Sequence, residues 1–224
     1  MYQTKRRGGL GGWLLGGAAV LAALFVSRRA MAAGQQAGAS STGAPPAPSS
    51  GRSLPDVPGL RDRLAVEPGF GAAFLAMTDA MGWGQEQADY LAASIGGIES
   101  KFNPQAVNPM SRATGLIQFM PSTAKALGTT VEALAAMTAT EQLPFVRAYF
   151  KDRKLAPRDV YPAIFYPAVI GKADDAVIAR AGEKVYDQNK GLDVTGDGVL
   201  TAGDIRSKAD RVVQAAASKP RIEV

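Results

Sequence analysis

The 224-residue chain contains no cysteine and no histidine. With both absent, Ser-His-Asp and Cys-His nucleophiles, His/Cys zinc sites and disulfides are all excluded, because the base, ligand or thiol each requires is missing. The common proteases and amidases are disfavoured on the same ground, and the redox state of the compartment is left open. Catalysis has to rest on Asp, Glu, Lys, Tyr, Ser or Thr, or on an oxygen-ligated ion. Acidic residues are missing from residues 1–33, which hold Lys5, Arg6, Arg7, Arg28 and Arg29. That flank accounts for the whole net charge of +5; the remainder is balanced. A nucleic-acid partner gains little from a basic balance confined to one flank.

Within that flank, residues 8–26 carry no charge. As a helix they would span about 28 Å, close to the roughly 30 Å of a hydrocarbon core, so the direct reading of 8–26 is a transmembrane anchor. A signal peptide cleaved after Ala30-Met31-Ala32 is the competing reading, disfavoured by Arg28 and Arg29 just before the site. Arg6-Arg7 is a partial twin-arginine signal followed by glycines. Positive residues on both sides leave orientation open, and Gly8, Gly12 and Gly16 recur at a spacing that would let two such helices approach closely. Residues 34–58, dominated by Gly, Ala, Ser and Pro, read as a flexible tether with a reach of roughly 25–30 Å.

From Gly59 onward helical periodicity dominates, and residues 59–224 are expected to form one mainly α domain. Phe70, Phe74, Met77 and Met81 form an apolar stripe. Leu91, Ile95 and Ile98 continue the pattern on a helix beginning near Gln85. Thr129-x-x-Glu132 and Thr138-x-x-Glu141 read as capping boxes, and Thr201-x-x-Asp204 as a third cap followed by the face Ile205, Ala209, Val212 and Ala216. No alternating stretch is long enough for a substantial sheet.

Residues 95–125 (IGGIESKFNPQAVNPMSRATGLIQFMPSTAK) are the most informative part of the chain. Glu99 ends an apolar helix, where poor solvation raises a carboxyl pKa and readies it to donate a proton near neutral pH. Position alone favours a plain exposed helix-terminal glutamate. The surrounding motifs do not: ES-x-FNP-x-AV followed by A-x-GL-x-Q-x-MP-x-TA resembles the lytic transglycosylases with the lysozyme-like SLT fold. The resemblance is close over residues 90–128 and looser through Val146–Phe150 and Tyr161–Pro167. It implies cleavage of the MurNAc-GlcNAc bond of peptidoglycan with Glu99 as catalytic residue. Ser100, Gln118, Phe119 and Tyr166 are the implied substrate-binding residues, Tyr166 being matched to the third-motif tyrosine. The loop between the motifs is one residue longer than the common form, Asn108 replaces its serine, and Pro167 stands where the family has asparagine. The variant is most like virion-associated transglycosylases of bacteriophages.

Glycosidases ordinarily use two carboxyls about 5–10 Å apart, yet no Asp or Glu lies between Lys101 and Val131. Asp174, Asp175 or Asp187 would have to fold back to supply a second. The expectation is therefore a single-glutamate reaction giving 1,6-anhydro ends, with no cofactor for catalysis. A hydrolytic muramidase and an inactive peptidoglycan-binding or assembly module are the alternatives. Partners expected are glycan strands, a membrane through the N-terminal helix, and other virion or envelope proteins. The setting is a phage particle or a bacterial envelope with the domain facing the wall.

A second motif, DVTGDGVLTAGD over residues 193–204, resembles a dockerin-like calcium loop. Asp193, Thr195, Asp197, the Val199 carbonyl and Asp204 fall at ligand positions 1, 3, 5, 7 and 12, with Gly198 at the turn. A structural Ca2+ is one expectation; an Asp-Gly turn followed by the Thr201 cap is the other.

Overall fold

The computed structural model describes residues 51–151 and 153–224. The anchor expected over 8–26, and with it the reading of residues 1–33, lies outside the described residues. Among the described residues no helix is long and apolar enough to cross a membrane.

The helices form where apolar spacing and end signals coincide. α1 (Leu60–Val66) leads into α2 (Phe70–Ala80), whose Phe70, Phe74 and Met77 are buried as the stripe requires, with Met81 just past its end. α3 (Gln85–Ser94) begins at the expected residue. Three short helices follow the loop after Glu99: α4 (Pro121–Ala126), α5 (Val131–Ala136) and α6 (Ala139–Phe150). α6 starts in the Thr138–Glu141 capping box, each side chain bonding the other's backbone N–H at 3.2 and 2.8 Å. The cap of α5 is one residue later than Thr129-x-x-Glu132 suggests. Thr130, in the extended backbone an N-cap needs, accepts from the Ala133 N–H.

The C-terminal part comprises α7 (Val160–Phe165), α8 (Lys184–Asn189) and α9 (Ala202–Ala217), the last capped by Thr201 and Asp204 as expected. Strand content is slight. β1 (Ser53–Leu54) pairs antiparallel with β4 (Ile222–Glu223), and β2 (Val177–Arg180) pairs antiparallel with β3 (Val199–Thr201).

The β1–β4 pairing moves the domain boundary. Residues 53–58 were read as tether, yet Leu54 and Val57 are buried and Ser53 lies opposite Glu223. Arg221 reinforces the join, donating to the Ser53 carbonyl and to Asp89, each at 2.7 Å. Two apolar side chains in a polar segment suffice here because a distant strand supplies their ladder.

Two apolar clusters meet along α3. One gathers Phe70, Phe74, Phe102, Phe119 and Phe150 among α1–α6; the other gathers Tyr161, Phe165, Leu200, Ile205 and Ala209 among α7, the β2–β3 pair and α9. α9 is fixed in place by the buried Arg206, which donates to Asp159 at 2.8 and 2.9 Å and to Asp174 at 2.7 Å. Breaking such a pair strands a buried charge, so its geometry is strongly held.

The glycine pair Gly96-Gly97 is what lets the N-terminal segment and α9 close on the end of α3. A Cβ on Gly96 would lie 2.7 Å from the Pro58 carbonyl oxygen, and one on Gly97 2.5 Å from Val212 Cγ2. Gly96→Ala is expected to lower stability by about 1–3 kcal/mol through overpacking. Urea unfolding checks this against Gly69→Ala, where a Cβ meets nothing within 4 Å.

Candidate active site

The last turn of α3 widens. Residues Ile95–Glu99 are π-helical, with the Ser100 N–H bonding the Ile95 carbonyl at 3.0 Å. A π turn admits one extra residue and re-aims the side chains that follow it, a device common at functional sites. Here it delivers Glu99 to the seam between the two apolar clusters.

The loop beyond Glu99 is anchored rather than loose. Ser100 Oγ donates to the Leu116 carbonyl at 2.9 Å, and the Gly115 N–H to the Ala106 carbonyl at 2.9 Å. Isolated bridges join Val107 to Thr114 and Thr114 to Phe119. Gln142, fully buried on α6, ties three segments together. Its Oε1 accepts from the Leu116 N–H at 2.9 Å, while Nε2 donates to the Pro104 and Leu134 carbonyls at 2.7 and 2.8 Å. Among the described residues, the non-glycine residues with positive φ are Lys101, Phe102, Arg112 and Gln118. All four fall in this one loop, and backbone strain of that kind persists only where surrounding contacts over-determine it.

Glu99 keeps partial access to solvent, but the protein packed about its carboxyl strips most of its hydration. Desolvation pushes its pKa up to about 8, opposed by the positive charge of Lys208 on α9. No other charge contributes, so no second carboxylate among the described residues acts on it. Tyr149 and Tyr161 both feel the Glu99 charge, and burial raises both phenols first of all. The Tyr149 hydroxyl is committed to the Ala163 carbonyl at 2.7 Å. Tyr161 is buried with its ring stacked on Phe165 at 5.8 Å.

The site residues expected from sequence divide accordingly. Glu99 and Gln118 flank the same loop. The Gln118 Nε2 is held by the Ala106 and Gly115 carbonyls at 3.2 and 3.1 Å, which fixes the amide at a partly exposed position. Ser100 is 8% exposed and Phe119 2% exposed. Ser100 straps the loop to the helix end, and Phe119 packs edge-on to Tyr149 at 6.4 Å. Both therefore support the loop from beneath, with little of either side chain exposed.

Tyr166, at the end of α7, packs partly buried against the second cluster, while the phenols of Tyr149 and Tyr161 feel the Glu99 charge. The chain reads Tyr161-Pro162-Ala163-Ile164-Phe165 and then Tyr166-Pro167-Ala168-Val169-Ile170. The two tyrosines have near-identical local contexts, so only packing distinguishes them. Lys208 carries no motif, and sequence reasoning missed it.

Asp174, considered above as a second carboxyl, is bound by Arg158 and Arg206, each at 2.7 Å. Glu99 lines neither of two concavities on the surface. One, of about 770 Å³, lies over Arg158, Asp174 and Arg206; the other, of about 600 Å³, is an apolar groove between α2 and α6.

In the 193–204 loop the carboxylates are turned to donors of the loop itself. Asp193 accepts from Gly196 N–H, Gly198 N–H, Thr195 Oγ1 and Tyr186 Oη at 2.7–3.1 Å, and these bonds pull its pKa down to about 2. Asp197 accepts from the Val199 N–H, and Asp204 from Val194 and Thr201. Among the described residues no three Asp or Glu are grouped to hold a metal ion. The calcium expectation gains no support from this geometry; the turn and the Thr201 cap are what it shows.

Residues 77–143 match the family model described as the transglycosylase SLT domain. The match takes in Glu99, Gln118 and Gln142 and stops short of Tyr149, Tyr161 and Lys208. It supports lytic transglycosylase activity and a peptidoglycan substrate, and the mainly helical structure agrees with it. No curated protein matches the chain.

Because the folded pKa of Glu99 lies above its ordinary 4.5, folding takes up a proton between pH 4.5 and about 8, and stability is lost as pH rises through that window. Glu99→Gln removes the burden. Its stability relative to the parent is expected to rise by up to about 1.4 kcal/mol per pH unit across the window, level off above it and vanish as a trend below it. Denaturant unfolding at pH 4, 6 and 9 measures this.

Proposed function

We propose that this protein is a peptidoglycan lytic transglycosylase that cleaves the MurNAc-GlcNAc bond with Glu99 as sole acid and base. The observation that carries the reading is the isolation of Glu99: a desolvated carboxyl with its pKa pushed up to about 8 and, among the described residues, no second carboxylate acting on it. The match of residues 77–143 to the SLT model supports the substrate class.

The reaction needs no further group from the protein. The protonated Glu99 gives its proton to the glycosidic oxygen as the C1–O bond breaks and its electron pair passes to that oxygen. The substrate's own N-acetyl oxygen stabilises the electron-poor C1. The Glu99 carboxylate then takes the proton from the C6 hydroxyl as that oxygen bonds to C1. The ring closes to a 1,6-anhydro sugar, Glu99 is reprotonated, and no water is consumed. A two-carboxyl hydrolase would instead need a base or nucleophile about 5–10 Å from the acid. Tyr161, whose buried phenol feels the Glu99 charge, is proposed to help orient the carboxyl.

We further propose that residues 8–26 hold the domain at a membrane and residues 34–52 tether it, so that it works on wall just beyond the bilayer. Local wall opening during phage genome entry is the role this suits. The support is the apolar span, the Gly/Ala/Ser/Pro stretch and the phage-like motif. The intact chain is expected in purified particles and in membrane fractions, and recovery only from the soluble fraction would remove this proposal.

Mass spectrometry of products from purified peptidoglycan tests the chemistry. The parent is expected to release anhydro-muropeptides, with activity falling as pH rises past about 8. Glu99→Gln should lose turnover by more than a thousandfold while still binding glycan. Tyr161→Phe should lose at least tenfold and Tyr166→Phe less than threefold. Reducing-end products would mark a muramidase, and no products with binding retained would mark a docking module.

A further inference from the structure

Lys208 is a half-buried lysine on α9, outside the segment matched to the SLT model. Its place on the helix is set by its neighbours. Ile205 and Ala209 are buried in the second cluster, and Val212, one turn further on, packs on Gly97. Helical spacing puts Lys208 on the Val212 side of α9, since residues i and i+4 share a face. α9 packs against the π turn Ile95–Glu99, so this face of the helix, with Lys208 one turn before Val212, meets the segment that carries Glu99. The acids that could pair with it are taken: Asp210 and Asp174 by Arg158, Asp159 and Asp174 by Arg206. Burying a lysine stem without an ion-pair partner is costly and calls for a compensating charge.

The groups facing this spot are few. Glu99 comes from the π turn, Tyr149 from α6 with Arg153 over its ring at 5.0 Å, and Tyr161 from α7. Tyr90 on α3 is turned away to Asp210, at 2.8 Å. Among the described residues, Glu99 is the carboxylate that acts on Lys208, and Lys208 the cation that acts on Glu99. The two do not touch as an ion pair, so the carboxyl stays free to meet substrate.

We propose that Lys208 is the counter-ion of Glu99 during turnover, a positioning residue that stabilises the carboxylate between its two proton transfers. The inference rests on the reaction proposed above. After Glu99 has protonated the leaving oxygen, a buried carboxylate stands opposite an electron-poor C1 with little water to solvate it. Lys208 supplies the missing favourable charge without exchanging a proton. When Glu99 recovers its proton from the C6 hydroxyl, the pair returns to a neutral acid beside an ammonium. The SLT segment would then carry the acid, and the C-terminal helix would make its ionised form tolerable.

The test uses the full chain with K208M, K208Q and K208R, far-UV circular dichroism confirming the fold. The Glu99 carboxyl is titrated by 13C NMR, and anhydro-product formation is followed from pH 5 to 10. In K208M and K208Q the Glu99 titration and the high-pH limb of activity should both move up by about one unit. The rate at pH 7 should fall about tenfold or more, and K208R should restore both. An unmoved Glu99 titration in a folded neutral variant overturns the proposal. So does loss of fold in both neutral variants with K208R intact, which would make Lys208 part of the scaffold. If the titration moves but the parent yields no anhydro product, the coupling stands and the reading of the reaction falls.

Discussion

The removal of water from one carboxyl is the constraint on which the site depends. Glu99 sits where two apolar clusters meet, and each contributes part of the wall that denies it hydration: Tyr149 and the α1–α6 cluster on one side, Tyr161 and α9 on the other. Neither cluster alone encloses the position. An acid that holds its proton at neutral pH is therefore a property of the junction, and whatever fixes the junction sets the acidity.

Several interactions do that fixing. The glycine pair permits contact that any side chain would prevent, with Pro58 on one flank and Val212 on the other. The buried Arg206–Asp159 pair holds α9 against the start of α7, and the β1–β4 pairing, clamped by Arg221, closes the two ends of the domain on one another. From below, Gln142 and Ser100 pin the strained loop that carries Gln118. These contacts join residues 16 to 170 positions apart. They hold a short sequence motif in one geometry through hydrogen bonds and close packing.

The split between the matched segment and the rest of the chain has a physical meaning. Residues 77–143 carry the acid, the loop and its glutamine staple. The second wall, with Tyr161 and Lys208, comes from residues that follow. An acid on an exposed helix end would titrate near its ordinary value; the C-terminal helices make it an acid suited to neutral pH. The division parallels the general pattern in which one segment supplies a reactive group and its surroundings tune it.

Much of this was legible in the sequence because it depends on local rules. The stripe Phe70-Phe74-Met77, the start of α3 at Gln85, the Thr138 and Thr201 caps and the face of α9 follow from helical period and capping chemistry, which act over a few residues. Glu99 was found from the residues immediately around it. What the sequence could not decide is set by contacts between distant segments. Thr130 rather than Thr129 caps α5 because the helix begins at Val131. Leu54 and Val57 join the core because β4 is there to receive them. Phe119 and Ser100 turn inward, and the repeated Tyr-Pro-Ala offers two tyrosines that only packing tells apart. Lys208 has no motif at all. Sequence alone singled out Glu99 as the candidate acid, since the motif that marks it lies in its neighbours; tertiary structure decided what surrounds that carboxyl, since solvation and charge are summed over everything folded against it.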